Sequence, residues 1–274
     1  MPGQHFICYF QNDEIKVCQK LLIGLESAYQ QLIQELGIKL EKTIAVYLTP
    51  SQQIFDALVG RYAPHWSDAI AVPTKNIIVL KSPTWSTPPH ELLSIATHEL
   101  VHMLLHQMLK GQAIPRWFEE GLAVYYSGEK RYASSSLVSR ALLTGSLLSL
   151  DEIDHVLEFR ADVAQLAYQQ SYLAVVFLMK NYGAAAMRQI INHLAIGEPF
   201  DDALVHNIGL DRWEFEQAWL KYIQHQYRWH FLVDFDSYLW IFVLLLFLAG
   251  YMLMRRRNRR ILEQWDTEDE RLVN

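Results

Sequence analysis

The sequence predicts an α+β fold in which a small N-terminal mixed sheet is followed by a helical C-terminal part and then by one C-terminal transmembrane helix. Three observations lead to this fold class. Short apolar runs before residue 89 predict strands, and apolar residues after it recur at helical spacing. An uncharged run of 17 residues near the end of the chain is long enough for a membrane span.

The strands are expected in three segments, which read HFICYF, TIAVYL and AIAVPTKNIIVL. A helical stretch from about Glu14 to Leu36 separates the first two segments, and another helix is expected after Ser51. The third segment is interrupted by PTKN, which is a turn signal. This segment therefore predicts either a hairpin or an edge strand with a break.

Helices are expected throughout the rest of the chain before the apolar run. The first runs from Pro89 to about Gly111 and the second begins near Pro115, since glycine and proline mark helix ends. Further helical stretches are predicted over residues 134–143, 161–181, 184–194 and 211–227. No internal repeat and no long linker interrupts the sequence before the apolar run, so residues 1–230 are predicted to form one domain.

The composition excludes several classes of protein. Apolar residues make up 51% of the 274 positions and charged residues 20%, which excludes disorder throughout the chain. Two cysteines, Cys8 and Cys18, exclude a disulfide scaffold and are interpreted as buried thiols, with one disulfide as the alternative. The net charge of −6 gives no global basic field, and we therefore expect no nucleic-acid partner.

The apolar run over residues 238–254, YLWIFVLLLFLAGYMLM, is interpreted as a membrane anchor. Trp240 and Tyr251 lie near its edges, and an arginine cluster begins abruptly at Arg255. The lipid bilayer is thus an expected partner, and a buried core helix is the alternative interpretation. Residues 231–237 then form a juxtamembrane linker, and residues 255–274 form a basic and acidic tail that is solvated or disordered.

The charge asymmetry around the anchor predicts its orientation. The arginine-rich flank places the C-terminal tail in the cytoplasm and the body outside, in a single-pass protein of the cell membrane. The N-terminal segment MPGQHFICYFQNDEIK has neither the basic region nor the long apolar stretch of a signal peptide. Three explanations therefore remain: a leader is missing from this sequence, the anchor itself directs export, or the residues before the anchor lie in the cytoplasm.

The residues that could bind a metal or transfer a proton are concentrated in the helix after Pro89, which contains the segment THELVHMLLH. His98 and His102 are four residues apart, so both imidazoles project from one helix face and can bind one zinc ion. Glu99 follows His98 and points to the side of the metal position, where a carboxylate can exchange a proton with an attacking water. The alternative is that the two histidines pack or hydrogen-bond without a metal.

A catalytic zinc ion needs a third protein ligand, and the segment PRWFEEGLAVYY offers two candidates. Glu119 and Glu120 are neighbours in a predicted helix and point in directions about 100° apart, so only one should face the metal. The alternative is that both acids are present because the positive end of the helix dipole favours them.

The pair of segments HELVH and WFEEGLA resembles the gluzincin metallopeptidases, and the chain is similar to the peptidase MA-like family, which is related to the catalytic domain of aminopeptidase N. Alignment on Trp117, Gly121 and Ala123 implies that Glu120 is the third zinc ligand. Between His102 and Glu120 lie 17 residues, one fewer than is usual in aminopeptidase N. The resemblance also implies a zincin-like fold and one zinc ion per chain.

A second match is YQQSYLAVVFLMKNYG, which resembles the tyrosine-bearing helix of the family and implies that Tyr168 stabilises the tetrahedral intermediate. Tyr172 is the competing donor, and a helix whose tyrosines only pack in the core is the alternative. The likeness covers roughly residues 70–183 and implies that the edge strand binds substrate backbone. The sequence lacks a G-x-M-E-N segment, so exopeptidase specificity is unsupported.

The residues and the resemblance together predict a membrane-anchored zinc metallopeptidase with a peptide or protein substrate. In this hypothesis Glu99 is the general base that activates a water at the zinc ion. Two other classes stay open. One is a catalytically inactive, membrane-tethered protein that keeps the zincin fold as a binding module or scaffold, and the other is a helical interaction module without a metal.

Overall fold

The structure, a computed structural model, describes residues 1–60, 67–130, 132, 135–156, 159–227 and 235–272. The chain divides into two units, Met1–Arg228 and Trp229–Asn274, and each is described by itself. In the first unit a small sheet precedes a series of helices, as the sequence predicts.

A four-stranded mixed sheet forms the N-terminal part of the first unit, in the order β1-β2-β4-β3. The first three strands in this order are parallel, whereas β3 pairs antiparallel with β4 and lies at the edge. A short 3-10 helix, Pro73–Lys75, joins these two strands, so the PTKN segment forms a hairpin whose first strand is the edge strand. The strands are β1 (Phe6–Tyr9), β2 (Ile44–Thr49), β3 (Ala69–Val72) and β4 (Ile77–Lys81).

Helices cover both faces of the sheet. Helix α1 (Ile15–Leu36) and helix α3 (Leu92–Leu109) share the main core with one face, and helix α2 (Gln52–Val59) packs on the other. Strand β4 contributes alternate side chains to the two cores, Ile78 and Leu80 to the first and Ile77 and Val79 to the second. This alternation is the pattern of a strand that is buried on both faces.

The helical part continues beyond α3, and its last described helix reaches residue 227. Gly183, with a φ of 81°, kinks helix α7, which agrees with the two separate stretches that the sequence predicts there. Helix α6 was not predicted, because four residues are too few for a clear apolar period. Helix α8 was not predicted either, although its nine residues equal the length of α5, which was predicted. The remaining helices are α4 (Arg116–Ser127), α5 (Ser136–Thr144), α6 (Leu150–Ile153), α7 (Ala161–Ala195), α8 (Phe200–Ile208) and α9 (Arg212–Tyr227).

Gly121 permits an unusually close approach of α4 to α7. A Cβ atom built on Gly121 would lie 2.4 Å from the backbone oxygen of Ser171 and 2.6 Å from Val175 Cγ2. No side chain other than hydrogen fits this position without a shift of one helix. The glycine of the WFEEGLA segment therefore sets the distance between the two helices and, with it, the position of the preceding Glu120.

The second unit contains helix α10 (Phe235–Leu272). Its segment Leu239–Arg259 is long and apolar enough to cross a membrane by length and composition, and it is the one such helix in the part of the chain that the structure describes. The first four residues of the predicted linker, 231–234, lie outside the described residues. The tail, which the sequence led us to expect as solvated or disordered, continues the helix as far as Leu272.

Both cysteines are free and buried in the first unit, which agrees with their interpretation as thiols. Cys8 lies in β1 and Cys18 in α1, and burial raises the pKa of both thiols. They therefore stay protonated and act as small apolar residues of the core.

Candidate metal centre

Helices α3 and α4 bring three donor groups together. His98 and His102 lie one turn apart on α3, and Glu120 reaches them from α4. The Nε2 atoms of His98 and His102 lie 3.3 Å and 3.4 Å from Glu120 Oε2. The structure thus gathers the two histidines of the HExxH motif and one of the two candidate glutamates at a single point.

The spacing of these donor atoms fits a zinc ion. Ligands at 2.0–2.1 Å in a tetrahedron lie about 3.3–3.4 Å from one another, which is the separation found here. Glu120 is 3% exposed, and its Oε2 forms no hydrogen bond with any described residue although both imidazole nitrogens are near. A buried carboxylate oxygen is costly without a partner, and a cation at the common point would supply one.

Each imidazole has a second carboxylate at its other nitrogen. Glu129 Oε2 lies 2.7 Å from His98 Nδ1, and Glu119 Oε1 lies 2.9 Å from His102 Nδ1. The contact at His102 is a hydrogen bond, and the contact at His98 is a close ion-pair contact. Carboxylates at these positions favour a proton on Nδ1 and so would leave the Nε2 lone pair free for a metal. Glu119 therefore lies at the Nδ1 atom of His102, whereas Glu120 lies between the Nε2 atoms of the two rings.

Sequence reasoning did not find Glu129. The residue follows Gly128, which ends α4 with a φ of 64°, and this turn directs Glu129 back toward α3. No sequence motif identifies Glu129, because its contact with His98 depends on how the chain turns after α4 and on where α3 lies. The only signal in the sequence is an acidic residue just after a helix-ending glycine, and this signal is not specific.

Arg116 balances part of the negative charge at the start of α4. Its Nη1 lies 3.1 Å from Glu119 Oε2 and 3.7 Å from Glu120 Oε1. Spacings of three and four residues place Arg116 within reach of each glutamate, although the two glutamates themselves point in different directions. Burial raises the pKa of Glu119, but the hydrogen bond with His102 and the charge of His102 lower it overall, and Arg116 adds to the same effect.

The charges of the cluster shift the pKa values in the absence of a metal. Burial lowers the pKa of His98, but the charge of Glu129 and the contact with Glu120 outweigh it and raise the value to about 9. The pKa of His102 is raised well above its usual value for the same reason, with Glu120 as the largest opposing charge. Burial raises the pKa of Glu120, but the charge of His102 lowers it well below the usual range.

Glu99 lies beside the donor atoms and contacts the edge strand. The backbone N–H of Ala71 in β3 donates a hydrogen bond of 2.6 Å to Glu99 Oε2. Burial raises the pKa of the Glu99 carboxyl, although the charges of His98 and His102 oppose this change. A carboxyl with a raised pKa is a stronger proton acceptor, which is the property of a general base.

Tyr168 enters the same cavity from α7. Its ring lies 6.4 Å from the ring of His98 and 4.7 Å from that of Tyr132. Burial and the charge of Glu120 raise the pKa of Tyr168 well above its usual value, so the phenol remains a hydrogen-bond donor. Among the described residues, Tyr168 lines the cavity and Tyr172 does not, because Tyr172 contacts Tyr125 instead.

A cavity of about 290 Å³ opens over the donor atoms. Strand β3 lines the cavity through Ala69, Ile70 and Ala71. Glu99 and Tyr168 also line it. The size and the polar floor of this cavity are those of a site for a small segment of a ligand rather than of a packing defect.

Two imidazoles from one turn of a helix, a carboxylate from the next helix and a cavity along an edge strand define a peptidase domain of the gluzincin type. A family model of the peptidase MA superfamily matches residues 25–225, and the chain belongs to this superfamily. The match extends beyond residues 70–183, over which the sequence motifs suggested the likeness. A search of curated proteins finds no match to the chain.

Proposed function

We propose that this protein is a membrane-anchored zinc metallopeptidase that hydrolyses peptide bonds, with His98, His102 and Glu120 as the ligands of one zinc ion. The observation that carries the proposal is the convergence of these three donor atoms. The Nε2 atoms of His98 and His102 lie 3.3 Å and 3.4 Å from Glu120 Oε2, and this buried oxygen forms no hydrogen bond with any described residue. Membership of the superfamily supports peptidase chemistry at the same place.

A bound zinc ion supplies Lewis acidity that polarises the substrate carbonyl and makes water more acidic. Glu99 takes the proton of the attacking water and returns it to the leaving nitrogen. The Ala71 N–H holds one oxygen of this carboxylate and so fixes its direction. The raised pKa of Glu99 suits it to both transfers, since a strongly acidic carboxyl would accept the proton poorly.

Tyr168 stabilises the oxyanion that develops on the attacked carbonyl. Its phenol is protonated and lines the cavity beside His98. A neutral donor placed before the reaction begins contributes more to the transition state than to the ground state. This role agrees with the one that the family resemblance implies.

The substrate is an extended peptide that lies along β3. In the antiparallel ladder Ile70 pairs with Val79, whereas the N–H of Ala71 points away from β4 toward Glu99. The N–H and C=O of one strand residue point to the same side, so the Ala71 carbonyl faces the cavity and can accept a substrate N–H. Such pairing recognises the peptide backbone and leaves side-chain preference to the rest of the cavity.

The anchor is the apolar part of α10 over residues 238–254, with the peptidase domain over residues 1–230 outside the cytoplasm and the tail inside it. The segment Leu239–Arg259 has the length and composition of a span, and the cluster from Arg255 onward follows its apolar part. Arginine is retained on the cytoplasmic side, which supports this orientation.

The test of the proposed function is the Glu99→Gln variant of the full chain, purified in detergent and incubated with a peptide library. We expect zinc content to be unchanged and cleavage to fall by at least about 100-fold, because general-base catalysis is worth about 100- to 10,000-fold. Mass spectrometry of the library measures cleavage, and metal analysis measures zinc.

The exposed Glu41→Gln change is the matched control and should leave cleavage unchanged. Cleavage by Glu99→Gln at the rate of the unaltered protein would contradict the role of Glu99. Zinc binding without any cleavage by the unaltered protein, over a broad peptide library, would instead support the inactive binding protein.

A further inference from the structure

A second group of histidine and glutamate side chains lies away from the proposed catalytic site, where α7 ends and α8 begins. His193 is in the last turn of α7, Glu198 is in the connecting loop and His206 is on α8. Each imidazole contacts one oxygen of the Glu198 carboxylate through Nδ1, His193 at Oε2 and His206 at Oε1. One ligand atom from each residue can be chosen so that all three lie within 4.8 Å of one another.

The backbone of the loop is fixed around Glu198. Its N–H donates to the carbonyl of His193 at 3.1 Å, and its carbonyl accepts a hydrogen bond of 2.9 Å from Gln112 Nε2. The preceding Gly197 has a φ of 92°, and the following Pro199 leads directly into α8. The carboxylate is therefore presented in a defined direction and does not belong to a mobile surface chain.

The surroundings of Glu198 favour a cation. The side chains of His193 and Glu198 are 33% and 17% exposed, and that of His206 is 62% exposed. No lysine or arginine in the described part of the chain forms an ion pair with Glu198. Among the described residues, the carboxylate contacts two imidazoles and no cationic side chain of lysine or arginine. A metal that binds at Nδ1 releases the Nδ1 proton to solvent, and the ring then carries its one proton on Nε2.

We propose that His193 Nδ1, His206 Nδ1 and a Glu198 oxygen bind a second divalent cation of the zinc type. Two imidazoles and one carboxylate are a donor set that zinc accepts, with water in the remaining position. The donor atoms must approach one another from their present spacing, and the exposed His206 side chain can rotate to allow this. Because this site is more exposed than the one at His98, it binds zinc more weakly and loses it first to a chelator.

The bound cation would join three parts of the fold. It ties the end of α7 to α8, and Gln112 links the same loop to the segment between α3 and α4. That segment leads into the helix that carries Glu119 and Glu120. A bound cation would thus hold the end of α7, the start of α8 and the segment before α4 together. This proposal does not depend on the proposed peptidase activity.

The experiment is a zinc titration of the full chain, carried on an affinity tag without histidines, in a buffer that sets the free zinc concentration. We expect two zinc ions per chain in the unaltered protein and one in each of the variants His193→Ala and His206→Ala. The His225→Ala variant, which changes an exposed histidine of α9 outside both metal groups, should keep two. Circular dichroism checks that each variant is folded.

A His102→Ala variant separates this proposal from the proposed function. We expect it to keep one zinc ion, whose apparent dissociation constant increases at least about tenfold when His206 is also changed to alanine. The proposal is overturned if the zinc count and the dissociation constants are the same with and without His206 in both backgrounds. If the unaltered protein binds a single zinc ion and His102→Ala binds none, the catalytic proposal stands and the proposal of a second site is overturned.

Discussion

At the scale of single residues, the main feature is that both imidazoles of the HExxH pair have a carboxylate at each nitrogen. Glu120 lies at both Nε2 atoms, and Glu129 and Glu119 lie at the two Nδ1 atoms. Outer carboxylates of this kind orient imidazole rings and increase the basicity of the nitrogens that, in the proposed function, would bind zinc. The zinc affinity of the site should therefore depend on residues that touch no metal.

Glu129→Gln tests this dependence. The amide keeps the size of the side chain but removes the charge that lies 2.7 Å from His98 Nδ1. We expect the zinc dissociation constant to increase about 10- to 100-fold, measured by competition with a chelator of known affinity. Glu41→Gln on the surface is the control, and an equal affinity in Glu129→Gln would show that Glu129 does not support His98.

The pH dependence of zinc binding follows from the pKa values of the same histidines. Without a metal the pKa of His98 is raised to about 9, and that of His102 is raised well above its usual value. Zinc must displace protons from imidazoles that are charged below these values, so zinc affinity should still increase between about pH 7 and 8.5.

Histidines with the usual pKa near 6.5 would predict almost no change over this range. The measurement is the zinc dissociation constant at each pH, from competition with a chelator whose own proton affinity is known. A dissociation constant that stays level above about pH 7 would contradict the raised pKa values and the influence of Glu129 and Glu120.

At the scale of secondary structure elements, the contact between α4 and α7 decides where Glu120 and Tyr168 lie. Gly121 allows this contact, since a Cβ atom at this position would lie only 2.4 Å from the backbone oxygen of Ser171. The edge strand β3 is the second decisive element, because it both lines the cavity and holds Glu99 through the Ala71 N–H. A shift of either element would displace several functional side chains together.

Gly121→Ala should destabilise the protein by about 1–3 kcal/mol, because a methyl group forced into a close helix contact costs that amount. The measurement is the free energy of unfolding, together with zinc content, which should fall as Glu120 moves. Gly24→Ala on α1 is the matched control. The three atoms nearest to a Cβ there, at 2.5–3.1 Å, all belong to the side chain of Leu93, which is 40% exposed and can move.

The control change replaces a helical glycine by alanine, so we expect no loss of stability there and a gain of up to about 1 kcal/mol. If Gly121→Ala is as stable as Gly24→Ala and binds zinc normally, the close approach of α4 to α7 is not what positions Glu120.

At the scale of the whole molecule, the first unit carries the proposed metal centre and the second unit carries the apolar helix. A tether beside a membrane would confine peptidase activity to substrates at that surface. The orientation of the tether decides which compartment supplies the substrate.

The proposed orientation predicts that a protease added outside spheroplasts of an expressing bacterial host removes the body of the protein. The arginine cluster holds the tail inside, so an epitope placed after Asn274 should stay protected. Immunoblots for the body and for the epitope measure the outcome, with a soluble cytoplasmic protein as the control for intact cells. A fully protected body in intact spheroplasts would place the peptidase domain in the cytoplasm.

Much of the fold followed from patterns along the chain. The hairpin around residues 73–76, the helix over residues 92–109, the break at Gly183 and the apolar segment of α10 all have local causes, such as turn residues, apolar spacing and glycine. The direction of His98 and His102 is local too, because four residues make about one helical turn. Such features need no knowledge of what lies across the molecule.

The roles of other residues depended on the packing of separate elements. The resemblance to the gluzincins already favoured Glu120 over Glu119 as the metal ligand, but only the tertiary structure shows that Glu119 contacts the Nδ1 atom of His102. The tertiary structure also brings Glu129 to His98 and sets the Ala71 N–H against Glu99. The grouping of His193, Glu198 and His206 belongs here as well. These contacts join residues whose separation in space depends on how helices and strands pack, and the sequence of any one element carries no record of that distance.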